Sequence, residues 1–140
     1  YTTLFRSKDG PKMVELGSRM GGGCITTHLV PLSTGIDMIK SVMDLALGLE
    51  PDLEPKLDKG SALRHIVGIE GVIESIEGLD EARQVPGVFE VTMLKNVGEE
   101  CHYFKNGADR IGYVIAQGKD TAEAIAICEE AIKKINIKTK

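Results

Sequence analysis

The segment from Pro11 to Asp37, PKMVELGSRMGGGCITTHLVPLSTGID, constrains this chain more than any other. It joins a short apolar run containing one acid to an arginine, three consecutive glycines, a histidine preceded by two threonines, and a turn into a helix. Lys12 to Leu16 reads as a strand. Strand side chains alternate between faces, so Met13, Glu15, Gly17 and Arg19 share one face where the extended run continues. Four extended residues span roughly 13 Å, so Glu15 and Arg19 are free to hold different parts of one ligand unless the glycines curl the loop back. Gly21, Gly22 and Gly23 present no side chain and tolerate positive φ, which lets backbone N–H groups converge on an anion. A helical turn over Ile25 to Val30, ended by Pro31, places its positive end beside the same spot. Glu15 on a hard divalent cation, with Arg19 and glycine amides on phosphate or carboxylate oxygens, is one reading. A plain strand-to-helix turn with a surface ion pair is the other.

The rest of the chain alternates element types. Ser33 or Thr34 caps a helix with Asp37 in its first turn. Ile36, Ile39, Val42, Met43, Leu45, Ala46 and Leu47 recur at helical spacing on one broad face, so Met38 and Met43 read as core, and Gly48 ends the helix. Pro51 and Pro55 make the acid-rich EPDLEP stretch a connector. Strands follow over Ala62 to Ile69 and Val72 to Ile76, then a short helix from Leu79 to Val85. Further strands read at Val88 to Leu94, Cys101 to Phe104 and Ile111 to Gln117. A last helix, capped by Asp120 or Thr121, runs to about Ile135 and buries Ala124, Ile125, Cys128, Ala131, Ile132 and Ile135. This β-β-α-β-β-β-α order predicts an α+β unit with largely antiparallel pairing.

With 140 residues there is room for one modest core and a piece of another. A formal charge of −4 and scattered basic residues argue against nucleic acid as the main partner. No apolar run approaches the length of a membrane span. Cys24, Cys101 and Cys128 form no CxxC pair and are odd in number, which predicts reduced thiols and a cytoplasmic setting. Arg64 and His65, like Cys101 and His102, are strand neighbours on opposite faces and make poor joint sites or chelators.

PKMVELGSRMGGG to STGID resembles the last strand and following loop of ATP-grasp carboxylate–amine ligases, particularly the L-amino-acid-ligase-like group. There the strand commonly reads Glu-x-Asn-x-Arg before small residues. SALRHIVGIEGVIESIEG and RIGYVIAQGKDTAEAIA resemble the terminal subdomain of that group and of its biotin-carboxylase-like relatives. The resemblance implies the C-terminal part of the ATP-grasp fold: a strand and helices, then a mostly antiparallel sheet with flanking helices. It implies ATP and Mg²⁺ as cofactors, Glu15 as a metal ligand, and Arg19 as the catalytic contact to the transferred phosphoryl group or substrate carboxylate. Gly21 and Gly22 would line the substrate pocket, and His28 would contact substrate or orient Arg19. Gly17 replaces the usual asparagine, the second metal ligand. The expected substrates are a small carboxylate and a small amine, and a homo-oligomer of the parent is compatible with the reading.

Residues 8–58 are then the end of the catalytic domain and 59–140 the terminal subdomain. Residues 1–7 resemble translated sequencing adapter and are expected to lie outside the fold; good strand formers among them allow an ordinary β segment instead. The expected fragment is inactive alone, since the opposite wall of the nucleotide cleft precedes this strand. Two alternatives remain open: a non-catalytic module of ATP-grasp origin, and an enzyme like carbamoyl-phosphate synthase or biotin carboxylase.

Overall fold

The structure, a computed structural model, describes residues 2–8, 10–16 and 19–140, with side chains at 8, 10 and 19–140. The chain opens with an antiparallel hairpin, β1 (Thr2–Ser7) against β2 (Gly10–Leu16). Residues 2–7 therefore pair with β2, as the ordinary β segment that their strand formers allow; runs such as TTLF favour a pleated partner whatever their origin. Gly17 lies outside the described residues, and so does the side chain of Glu15.

A π-helical turn (Ile25–Leu29) runs directly into α1 (Val30–Thr34). Pro31 does not end the turn. It occupies the first turn of α1, where no intrahelical N–H is needed. Ser33 and Thr34 are also inside α1, their hydroxyls donating back to the carbonyls of Leu29 and Val30. Gly35, at φ 75°, ends α1 in the left-handed region that glycine tolerates best. The cap of α2 (Met38–Ala46) is Asp37, whose carboxylate accepts from the Lys40 amide at 2.9 Å.

The orientation of α2 reverses the expectation. Its buried residues are Ser41 and Asp44, while Val42, Met43, Leu45 and the following Leu47 and Leu49 are exposed. The buried polar groups of this face are satisfied within the helix and its cap. Ser41 donates to the Asp37 carbonyl at 2.7 Å, and Lys40 pairs with Asp44 at 2.5 Å.

After the connector come β3 (Gly60–Ile66), β4 (Gly71–Glu77), α3 (Leu79–Arg83), β5 (Val88–Met93), β6 (Glu100–Cys101), β7 (Gly112–Gly118), α4 (Thr121–Lys134) and β8 (Asn136–Thr139). They form two three-stranded sheets, β3-β7-β5 and β6-β4-β8, and every pair is antiparallel. Strand β8 was not expected from the sequence, and β6 is shorter than expected. The loop after β6 instead closes on a 3₁₀ turn (Gly107–Asp109), where Asn106 and Asp109 form a reciprocal capping box.

One core packs α4 onto β3 and β7. Ala62, Val114 and Ala116 meet Ala124, Cys128 and Ala131, all buried. Small side chains on both elements allow close approach, and the Cys128 thiol lies 3.5 Å from the carbonyls of Ala62 and Val114. At the edge of this contact a Cβ on Gly60 would stand 1.9 Å from the carbonyl carbon of Asp120, so only glycine fits. Asp120 there caps α4 through the Glu123 amide at 2.9 Å. The second core joins Ile66, Ile73, Cys101 and Ile111 beneath the other sheet.

Candidate functional site

The face of β3-β7-β5 away from α4 receives the π-helical turn. Cross-strand partners share a face, so Ser61 and His65 of β3 stand with Gln117 and Tyr113 of β7, and Tyr113 with Thr92 of β5. Ser61 donates to the Leu29 carbonyl at 2.8 Å, and Gln117 donates to the Leu32 carbonyl at 2.5 Å. These bonds tie the segment after the glycines onto the terminal sheet.

The glycine loop is bent by two successive left-handed residues, Gly23 and Cys24, each at φ 61°. For a non-glycine residue this costs on the order of 1–2 kcal/mol, a local strain of the kind that gathers at functional sites. The amides of His28 and Leu29 both reach the Cys24 carbonyl, at 2.9 and 3.0 Å, which produces the π geometry. Upstream, Thr26 donates to the Gly21 carbonyl at 3.0 Å and Ile25 to the Gly22 carbonyl at 3.2 Å.

Arg19 is exposed, and its guanidinium donates to the carbonyl of Met20 at 3.2 Å. A Cβ at Gly22 would lie 4.0 Å from the same Nη1. The structure thus brings Arg19 and Gly22 side by side, with no carboxylate paired to the guanidinium among the described residues. His28 makes other contacts. Its Nδ1 is 2.7 Å from the Thr27 hydroxyl, its Nε2 is 3.2 Å from Oε2 of Glu90, and its ring meets Phe89 edge-on at 5.8 Å.

Glu90 is the centre of a cluster that the sequence reading missed. Its Oε1 accepts from Thr92 at 2.5 Å and from Tyr113 at 2.9 Å, while Oε2 faces His28. The Thr92 hydrogen bond does most to hold this carboxyl below its ordinary range. Burial pulls the other way, and Tyr113 and His28 add to the lowering. A register shift between Val88 and Glu90 puts Phe89 out at the sheet edge against His28. The available signal was a single acid inside the apolar run VFEVTM, the same pattern as Glu15 in its strand.

His65 sits near Arg110, and burial first, then that positive charge, pushes its imidazole below the ordinary range. A separate hollow of about 200 Å³ is lined by Asp37, Lys40, Ser41, Asp44, Asp52 and Lys56. Its lysines already pair with Asp44 and Asp52, and none of the sequence-predicted site residues lines it. Among the described residues no group of three His, Cys, Asp or Glu is placed to hold a metal ion, and no helix is long and apolar enough to cross a membrane.

Known proteins resemble this arrangement. A family model described as L-amino acid ligase C-terminal domain 2 matches residues 65–140. An uncharacterized protein, y4rH, of Sinorhizobium fredii is 28% identical over 128 residues, covering 91% of this chain and 27% of its own. Phosphoribosylglycinamide synthetase from Anaerococcus prevotii superposes with a TM-score of 0.85 and 23% identity, over 99% of this chain and 36% of that one. For the L-amino acid ligase from Bacillus licheniformis the TM-score is 0.77 at 25% identity, over 99% of this chain and 35% of that one. The chain therefore spans roughly a third of the length of these solved relatives. The family model takes in more than half of the chain, and the fold agrees along its whole length: this chain belongs to the L-amino acid ligase C-terminal domain 2 family and has the fold of the C-terminal portion of an ATP-grasp ligase.

Proposed function

We propose that this chain is the C-terminal part of an ATP-dependent carboxylate–amine ligase that works through an acylphosphate. In that reaction a carboxylate takes the terminal phosphoryl group of ATP, and an amine then displaces phosphate to form an amide. The observation that carries the reading is the exposed Arg19 guanidinium, set beside Gly22 at the mouth of a strained glycine turn and, among the described residues, without a carboxylate partner. A guanidinium there would grip the acylphosphate or the acceptor carboxylate in a two-pronged contact. Gly21 and Gly22 leave room for substrate, and His28 borders the same turn.

Glu15 is proposed as a ligand of Mg²⁺. The described residues supply no further set of ligands for it, so no step is derived through the metal. The exposed apolar face of α2 supports the view that further polypeptide of the parent packs on it. Three free cysteines, two of them buried, favour a cytoplasmic setting. A non-catalytic module of the same ancestry is the second reading, favoured by Gly17 where the resemblance expects asparagine.

The purified chain should not release phosphate from ATP with any amino-acid mixture; hydrolysis would contradict the reading. Acetyl phosphate, the simplest acylphosphate, should shift the amide resonances of Gly21 to Cys24, and Arg19→Ala should abolish the response. An unchanged response in Arg19→Ala would remove Arg19 from the site.

A further inference from the structure

The glycine loop is held from within by Thr26 on the Gly21 carbonyl and Ile25 on the Gly22 carbonyl, and one carboxylate of the terminal sheet reaches the turn that follows it. Thr92 and Tyr113 are direct cross-strand partners, and both donate to Oε1 of Glu90. The strands beneath are fixed by the α4 core, in which Val91, Val114 and Ala116 are buried. Glu90 is therefore immobilised from below, with Oε2 presented to the π-helical turn. His28 meets it there at 3.2 Å.

On the far side of His28, the turn is continuous with the loop. The His28 amide holds the Cys24 carbonyl, Thr26 holds the Gly21 carbonyl, and Gly22 lies against the Arg19 guanidinium. Ser61 and Gln117 anchor only the later part of the segment, at Leu29 and Leu32. Before Leu29, the turn meets polar and aromatic side chains of the sheet at Glu90, whose carboxylate faces His28, and at the ring edge of Phe89. The pair is partly open to solvent, at 27% for His28 and 29% for Glu90, so it is a latch at a surface seam and not part of a sealed core.

We infer that Glu90 is a positioning residue: by holding His28 against β5 and β7 it sets the π-helical turn, and with it the glycine loop that carries Arg19, onto the terminal domain. This rests on the proposed function only in treating the Arg19 loop as the working site. The latch itself can be measured without turnover.

The experiment is amide hydrogen exchange on the 140-residue chain and its Glu90→Gln variant. Glutamine keeps an oxygen for Thr92 and Tyr113 but removes the charge that faces His28. Exchange should rise about tenfold at the amides of His28 and Leu29, while the amides of β7 and α4 exchange as before. A uniform rise that includes α4 and β7 would mean a general stabilising role and would overturn the inference. So would no change at His28 and Leu29. His28→Gln leaves every sheet side chain in place and should produce the same local rise; it serves as the reading variant if Glu90→Gln fails to fold, and an unchanged turn in it would overturn the inference. The double variant should exchange no faster than either single one, since both remove one contact; additive effects would contradict the latch. Loss of the acetyl phosphate response in Arg19→Ala is a separate matter and tests only the role of the guanidinium.

Discussion

The reversed helix α2 offers a prediction that separates amphipathic pattern from actual burial. Consider Leu45→Lys combined with Leu47→Lys. If these leucines filled a core, as their helical spacing predicts, removing them would cost about 2–5 kcal/mol each, and buried charge would add to that. In the structure Leu45 is 61% and Leu47 75% exposed. Lysine has nearly the helix propensity of leucine, and a cation near the C-terminal end of a helix is favoured by its dipole. The double variant should therefore stay within about 1 kcal/mol of the parent chain in urea unfolding, the range for surface substitutions. Ile111→Ala, a fully buried position, should lose about 2–5 kcal/mol in the same assay. A loss above about 2 kcal/mol for the lysine pair would refute the orientation of α2. It would also remove the apolar face offered to further polypeptide.

Other consequences can be checked alongside. Glu90 has a depressed folded pKa, so its stabilisation is present above its unfolded value, near 4.3, and is lost as pH falls through the folded value. Glu90→Gln should thus show a shallower acid loss of stability than the wild-type chain, and equal slopes would contradict the assignment. His65 is also depressed. It binds more protons unfolded than folded below about pH 6.5, so stability should fall as pH drops from there, and His65→Gln should flatten that slope. Gly60→Ala drives a methyl into the Asp120 backbone and should unfold the terminal domain or cost more than about 3 kcal/mol, read by thermal melting. In a full-length protein with the proposed activity, Glu15→Gln should raise the magnesium concentration needed for turnover; an unchanged requirement would exclude Glu15 as a ligand.

Much of the terminal domain was legible because its signals are local. The α4 helix follows from Asp120 as cap and from Ala124, Cys128 and Ala131 at helical spacing, and β5 and β7 follow from apolar runs bounded by glycine. The short strand β8 was hidden because IKKINIKTK continues the helical pattern until Ile135 turns extended and pairs with nothing local; its partner β4 lies far back in the chain. Pattern also failed at α2. Periodicity locates an apolar stripe but says nothing of what covers it, and here the buried side chains are Ser41 and Asp44, bonded within the helix and its cap. At the site, the loop from Arg19 to His28 stood out through residue types that suit anions. Glu90, Thr92 and Tyr113 did not, because their meeting depends on cross-strand register and on a bulge at Phe89, neither of which composition encodes.

The most direct test of the proposed activity is amide formation from ATP, a carboxylate and an amine by the full-length protein, compared with its Arg19→Ala variant under the same conditions. Removal of the guanidinium proposed to stabilise the acylphosphate should lower the rate by roughly 10²–10³ while the variant remains folded. A folded Arg19→Ala enzyme that ligates at a near-normal rate would show that the glycine loop of this chain does not handle the phosphoryl group.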